Sequence, residues 1–182
     1  MSDDGQVVGV DGDRLTLVKY PDPRLRSPCR PVGKVDDDIR TLIDRMFELM
    51  FAFRGVGLAG PQVGVSLRLF VASPTFHTDD RQVYINPDIV ALDGSQDGEE
   101  GCLSFPDIAC RVRRYQTATL RALDRDGEPF ERAADGLLAR IIQHETDHLD
   151  GRLLVDRMGS LAKLSHRAAL KELEAAYETA RH

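Results

Sequence analysis

The sequence lacks the features that would place it in several large classes. It has only three cysteines, Cys29, Cys102 and Cys110, in 182 residues. An odd number in a chain too large to need stapling argues against a disulfide framework and fits a reducing compartment. No apolar run approaches the ~20 residues of a membrane span. The opening stretch, MSDDGQVVGVDGDR, is acidic and has no apolar signal core. No long block of one charge sign occurs, and a net charge of -6 gives nothing for non-specific nucleic-acid binding. Internal repeats, low-complexity tracts and linkers are missing too. The expectation is a cytoplasmic protein with neither a membrane nor DNA as partner. The length favours one domain, able to bury roughly 70% of the surface its unfolded chain exposes.

The periodicities that are present predict an α+β chain. Residues 1–14 are polar and Gly-rich and read as a flexible tail. YPDPRLRSPCRP (20–31) carries four prolines and should be extended and irregular. In DDDIRTLIDRMFELMFAFRG (36–55), Ile39, Leu42, Ile43, Met46, Met50 and Phe53 recur at spacings of three and four. Aspartates open that stretch and Gly55 closes it, so it is an amphipathic helix. LRLFVAS (67–73) and QVYINPDIV (82–90) read as strands, and residues 115–132 as two strands joined at Asp126-Gly127. GLLARIIQHETDHLDG (136–151) reads as a helix ending near Gly151, and Ser160 can cap a last helix running to His182. Mixed, mostly antiparallel strands are therefore expected around a central helix, with an N-terminal and a C-terminal helix beside them.

Gly55, Gly57 and Gly60 spell the G-x-G-x-x-G of a dinucleotide-binding turn, but the setting is wrong. That turn needs a strand before it and a helix opening inside it. Here a long helix precedes Gly55, and Pro61 and Gly64 stand where the new helix should run. Glycines also let another backbone approach closely, as a peptide substrate beside Gly57 would need.

The chemistry centres on QHETDHLDG (143–151). His144, Glu145 and His148 form H-E-x-x-H on a predicted helix. A spacing of four is about one turn, so both imidazoles can share one cation and Glu145 lies beside the first. Two surface histidines would be the bland alternative. Leu137, Leu138, Ile141 and Ile142 make the helix apolar on most sides, however, so it should run through the core. A catalytic site takes three protein ligands and keeps a position open. A histidine six residues beyond His148 would define one protease class, but that position is Leu154. Glu172, Glu174 and Cys102 remain as third ligands. Cys29 and Cys110 read as small core residues.

Taken together and in this order, GVGLAGPQ, EEGCLS and QHETDHLDG resemble peptide deformylase, with YPDPRLR, INP and RALDRDGEPF similar to bacterial members. The resemblance spans residues 15 to about 170 and makes 15–182 a single catalytic domain. It implies a metallo-hydrolase that removes formyl from the N-terminal methionine of new proteins and releases formate. It implies Cys102, His144 and His148 as metal ligands, Glu145 as acid/base, and Gln62 with the backbone N–H of Leu103 facing the developing oxyanion. Val56, Gly57, Leu137 and Ile141 are available for substrate binding, Gly57 by pairing with the peptide backbone. Val56, Leu103, Leu137 and Ile141 would serve equally as ordinary core. Arg140 either lays its stem along the pocket or is merely exposed. Glu100 and Arg114 could pair to hold the Cys102 loop.

One thiolate and two imidazoles suit Zn, Fe(II), Co or Ni. The resemblance favours Fe(II) in the cell, with Zn, Ni or Co in a purified sample. The family usually has alanine where this chain has Gly60, which should loosen the Gln62 segment. Lys163, Arg167 and Lys171 form a basic stripe that could meet the ribosome, and a monomer is expected. Two other readings use the same motif: an H-E-x-x-H metallopeptidase relying on Glu172 or Glu174, and an amidase for another N-formyl compound. A third makes the metal purely structural.

Overall fold

The computed structural model describes residues 15–180. The expected N-terminal tail, residues 1–14, and residues 181–182, to which the last helix was expected to run, lie outside them. The first element is a short 3-10 turn, Pro23–Arg26, within the proline-rich segment. Helix α1 (Asp37–Ala52) follows, capped where the Asp36 carboxylate accepts the Ile39 N–H at 3.1 Å. The Gly55 N–H closes it on the Met50 carbonyl at 2.8 Å. Ile39, Leu42, Ile43, Met46, Phe47 and Met50 form its buried stripe. Phe53 does not join them. It lies just past the last turn, 53% exposed, because the chain has already left the helical path.

Five strands form one antiparallel sheet in the order β1 (Gly57–Ala59), β2 (Leu69–Ala72), β3 (Gln82–Asp93), β6 (Thr117–Leu123) and β7 (Pro129–Asp135). Side chains alternate between the two faces of a strand, and this sheet is covered on both. Leu69 and Val71 join the cluster built on α1, whereas Phe70 and Ala72 join a second cluster with Ala139, Ile141, Ile142 and Leu149. Those four belong to helix α2 (Gly136–Leu149), which packs on β1, β2, β6 and β7. This explains why LFVA reads as one unbroken apolar run. The β6–β7 connection covers residues 124–128, with Gly127 at φ 86°. Asp124 organises it by accepting the N–H groups of Asp126 and Glu128.

The strands β4 (Gln96–Cys102) and β5 (Phe105–Arg114) form a separate antiparallel hairpin. The stretch before Cys102, despite Gly98 and Gly101, is thus a strand that ends at Cys102. Phe105, Ile108, Cys110 and Val112 cover a third cluster with Val18, Leu25, Leu153, Leu154 and Met158.

The chain closes through α3 (Leu154–Arg157), α4 (Ser160–Ser165) and α5 (Arg167–Ala180). The single last helix of the sequence reading is interrupted at His166, and its cap is Gly159, with Ser160 already inside the first turn. Helix α5 buries no residue fully, although Ala169, Leu170 and Leu173 lean on the third cluster. The Tyr20 hydroxyl ties it down by donating to Glu174 at 2.8 Å. The α+β class and the antiparallel strands agree with the sequence reading. No helix among the described residues is long and apolar enough to cross a membrane.

Candidate active site

Three elements converge on one point. Helix α2 presents His144 and His148 from successive turns, and their rings lie 5.0 Å apart at a steep angle. The end of β4 presents Cys102, where a register shift after Gly101 turns the strand. The 3-10 turn Gly60–Val63 presents Gln62. Sγ of Cys102 lies 3.2 Å from Nε2 of His148, and the ligand atoms of Cys102, His144 and His148 all fall within 4.8 Å of one another. Glu172 and Glu174 are not there. Both are exposed on α5, and Glu174 is engaged by Tyr20.

The cluster fits one divalent ion on its donor chemistry. A thiol and two imidazoles meet at one point, with Cys102 and His144 half-buried and His148 only 1% exposed. Two nitrogens of the histidines are already assigned. Nδ1 of His144 lies 2.9 Å from Oε2 of Glu100, so that carboxylate fixes the ring and leaves Nε2 for the cluster. Nε2 of His148 faces the thiol. Three protein ligands would leave one position open.

Glu100 is itself heavily supported. Arg114 grips both its oxygens, at 2.8 and 3.0 Å, and also donates to Asp147 at 2.6 Å. Arg157 donates to both oxygens of Asp147, sharing Oδ2 with Arg114. Burial works to raise the pKa of Glu100, but the hydrogen bonds from His144 and Arg114 outweigh it and keep the carboxylate ionised well below the ordinary range. Glu100 and Arg114 therefore pair, as the sequence reading supposed, but as part of a larger buried ion network.

Glu145 has the opposite environment. It is buried, and its Oε2 has no hydrogen-bond partner among the described residues. Burial pushes its pKa up to about 7, opposed by His144. A carboxyl poised there can take or give a proton near neutral pH. Gly57 creates its space: a Cβ on Gly57 would come within 2.4 Å of Oε1. Gly55 likewise makes room for Leu103, whose side chain a Cβ would meet at 2.8 Å. The first two glycines of the supposed dinucleotide turn are thus explained by side chains of this same site.

Gln62 is held at both ends of its amide. Oε1 accepts the Ala59 N–H at 2.9 Å, and Nε2 reaches Ser104 Oγ at 3.3 Å and Cys102 Sγ at 3.5 Å. Gly60, expected to loosen this turn, is tightly enclosed in it. A Cβ there would fall 2.7 Å from the Leu67 carbonyl oxygen and 2.8 Å from that of Val65, so backbone closes around it. Leu103 sits in the two-residue turn between β4 and β5, beside Cys102.

A cavity of about 670 Å³ opens onto the cluster. Its walls include Val56, Gly57, Gln62, Cys102, Leu103, Leu137, Ile141, His144 and Glu145. Ile141 is buried, but Leu137 is 52% exposed at the rim. The sequence reading missed Phe53 and Arg54, which border the cavity just past α1. Arg140, expected either along the pocket with its charge in water or merely exposed, is neither. Arg140 is buried instead, and its guanidinium donates to Glu100 and to the Val112 carbonyl.

Comparison with known proteins gives one answer. Residues 14–164 match the family model described as polypeptide deformylase. A peptide deformylase of Azotobacter vinelandii is 49% identical over 150 residues, 82% of this chain and 89% of that protein. One of Acidobacterium capsulatum is 47% identical over 149 residues, 81% of this chain and 88% of the other. Among solved structures, a peptide deformylase from Legionella pneumophila superposes with a TM-score of 0.84 at 42% identity, covering 91% of this chain and 98% of that one.

Proposed function

This chain belongs to the peptide deformylase family, and from that premise we propose how its own residues carry out the reaction. The protein is a metallo-hydrolase that removes the N-formyl group from nascent peptides. One observation carries the assignment of roles: a buried carboxyl with one unpartnered oxygen, Glu145, beside a Cys-His-His cluster at the floor of an apolar cavity.

Cys102, His144 and His148 would hold the divalent ion, Fe(II) in the cell, with Zn, Ni or Co as substitutes. Such an ion supplies Lewis-acid chemistry that lets water act as a nucleophile near neutral pH. Glu145 takes a proton from the attacking water. The water oxygen bonds to the formyl carbon, the carbon–nitrogen bond breaks, and Glu145 returns the proton to the leaving amine. Formate and a free amino terminus result. The Gln62 amide, pinned through Ala59, and the Leu103 N–H would donate to the oxyanion, each worth ~3 kcal/mol. Gly57 lies on β1, where an extended peptide can add alongside. Val56, Leu103, Leu137 and Ile141 would receive the methionine side chain.

The finer setting belongs to the same proposal. Residues 15–182 act as one catalytic domain, as a monomer in the cytoplasm. Lys163 on α4 and Arg167 and Lys171 on α5 are exposed and would meet ribosomal phosphates. The test is formate release from a formyl-Met peptide after anaerobic Fe(II) loading, run beside an internal-cleavage assay. Formate without internal cleavage is expected. Internal cleavage without formate would return the metallopeptidase reading.

A further inference from the structure

Arg140 takes no part in the chemistry above, yet it spends a buried cation at the site. It lies on α2 one turn before His144. Its side chain crosses to the β4–β5 hairpin and makes all its polar contacts there. Nη1 donates to Glu100 Oε1 at 2.8 Å and to the Val112 carbonyl at 2.9 Å, with the Gly98 carbonyl at 3.4 Å. Nη2 reaches Gln96 Oε1 at 3.4 Å. Gln96, Gly98 and Glu100 are on β4 and Val112 is on β5, so one guanidinium spans both strands. The hairpin accommodates it at one place. A Cβ on Gly98 would lie 3.0 Å from Nη2 and 3.2 Å from Cζ.

The hairpin carries Cys102 and the helix carries both histidines, so the relative placement of these two elements sets the geometry of the ligand cluster. We propose that Arg140 is a positioning residue for that cluster. It clamps the Cys102 hairpin onto the histidine helix, and by fixing Oε1 of Glu100 it orients the oxygen that holds His144 Nδ1. Gly98 is the matching half of the clamp. The proposal rests on Cys102, His144 and His148 being the metal ligands. Such outer partners commonly change metal affinity by ~10- to 100-fold.

The test uses full-length protein stripped of metal and titrated anaerobically with Co(II) against a chelator. Affinity and the thiolate-to-cobalt charge-transfer and ligand-field bands are both read. Arg140→Met should weaken binding ~10- to 100-fold and shift the bands. Arg140→Lys should recover part of the affinity, because an ammonium can meet Glu100 but cannot span to the Val112 carbonyl and Gln96 as well. Gly98→Ala keeps the arginine and should shift the bands in the same direction with a smaller loss. If Arg140→Met does not fold, the other two variants decide. Wild-type affinity and spectrum in the variants that fold would overturn the proposal, even with a lowered melting temperature. The ligand reading fails separately, through unchanged cobalt binding by Cys102→Ala.

Discussion

Helices α2 and α5 are each 14 residues long, yet they occupy opposite positions in the molecule. Helix α2 buries ten of its residues, including Arg140, Glu145, Asp147 and His148, whereas α5 buries none fully. A buried charge is costly unless it is paired or needed for chemistry, so the polar residues of α2 have to be explained one by one. Arg140 and Asp147 are satisfied by the ion network, while Glu145 keeps an oxygen unpartnered. On α5 the same residue types face water and require no explanation. The contrast supports the proposed placing of catalysis on α2, whereas α5 rests one side, Ala169, Leu170 and Leu173, on the third cluster and turns the rest to solvent.

The sharpest break of this comparison is at the ligands. Cys102→Ala should abolish deformylation and strip the metal, since two imidazoles under-ligate the site. Metal analysis checks it, and Cys29→Ala and Cys110→Ala should retain full metal. Stoichiometric metal in Cys102→Ala would mean a different third ligand.

Glu145 predicts a pH dependence in the metal-free protein. Its pKa rises from 4.5 unfolded to about 7 folded, with burial as the main cause. Between those values the unfolded chain loses a proton that the folded one keeps, so stability falls as pH rises through this window. The contribution is fully present below about 4.5 and gone above about 7. Denaturation of wild type against Glu145→Gln should show a relative loss of about 3 kcal/mol across it. A flat difference would mean that Glu145 is hydrated rather than desolvated.

Gln62→Leu should cut kcat roughly a hundredfold with a smaller change in KM, as for one lost oxyanion donor. A change confined to KM would place Gln62 in ground-state binding. The smallest effect is expected on the exposed C-terminal helices. Replacing Lys163, Arg167 and Lys171 with glutamine should shift stability by less than about 0.5 kcal/mol and leave turnover of a free formyl-peptide unchanged. Ribosome binding should weaken and lose part of its salt dependence. Equal binding by both proteins at every salt concentration would leave the stripe without that partner.

Legibility in the sequence follows the same division. Helix α1 and helix α2 could be read because an apolar stripe with a period near 3.6 has few other causes, and β2 because both its faces are covered. Hairpin β4–β5 was harder to see. Ile108, Cys110, Val112 and Arg114 alternate inward on β5, but Arg111 and Arg113 between them, and an arginine turned into the core, hide the period. On β4, Gly98 and Gly101 imitate a turn, although Gly98 is the space occupied by Arg140. The residues of H-E-x-x-H announce themselves by spacing. Cys102 gave no local signal, because a lone cysteine reads as core, and only the joint appearance of three motifs singled it out. Arg140 and Gly98 are invisible to any local pattern: their relation spans 42 positions and exists only after the hairpin meets the helix.

In the proposed mechanism Glu145 moves the proton while other residues hold the metal. The direct measurement is metal content and formate release on one sample of Glu145→Ala, loaded anaerobically with Fe(II). One metal per chain and nearly complete loss of turnover are expected, because Cys102, His144 and His148 remain and the proton carrier is gone. Loss of the metal together with the activity, or full activity with the metal retained, would contradict it.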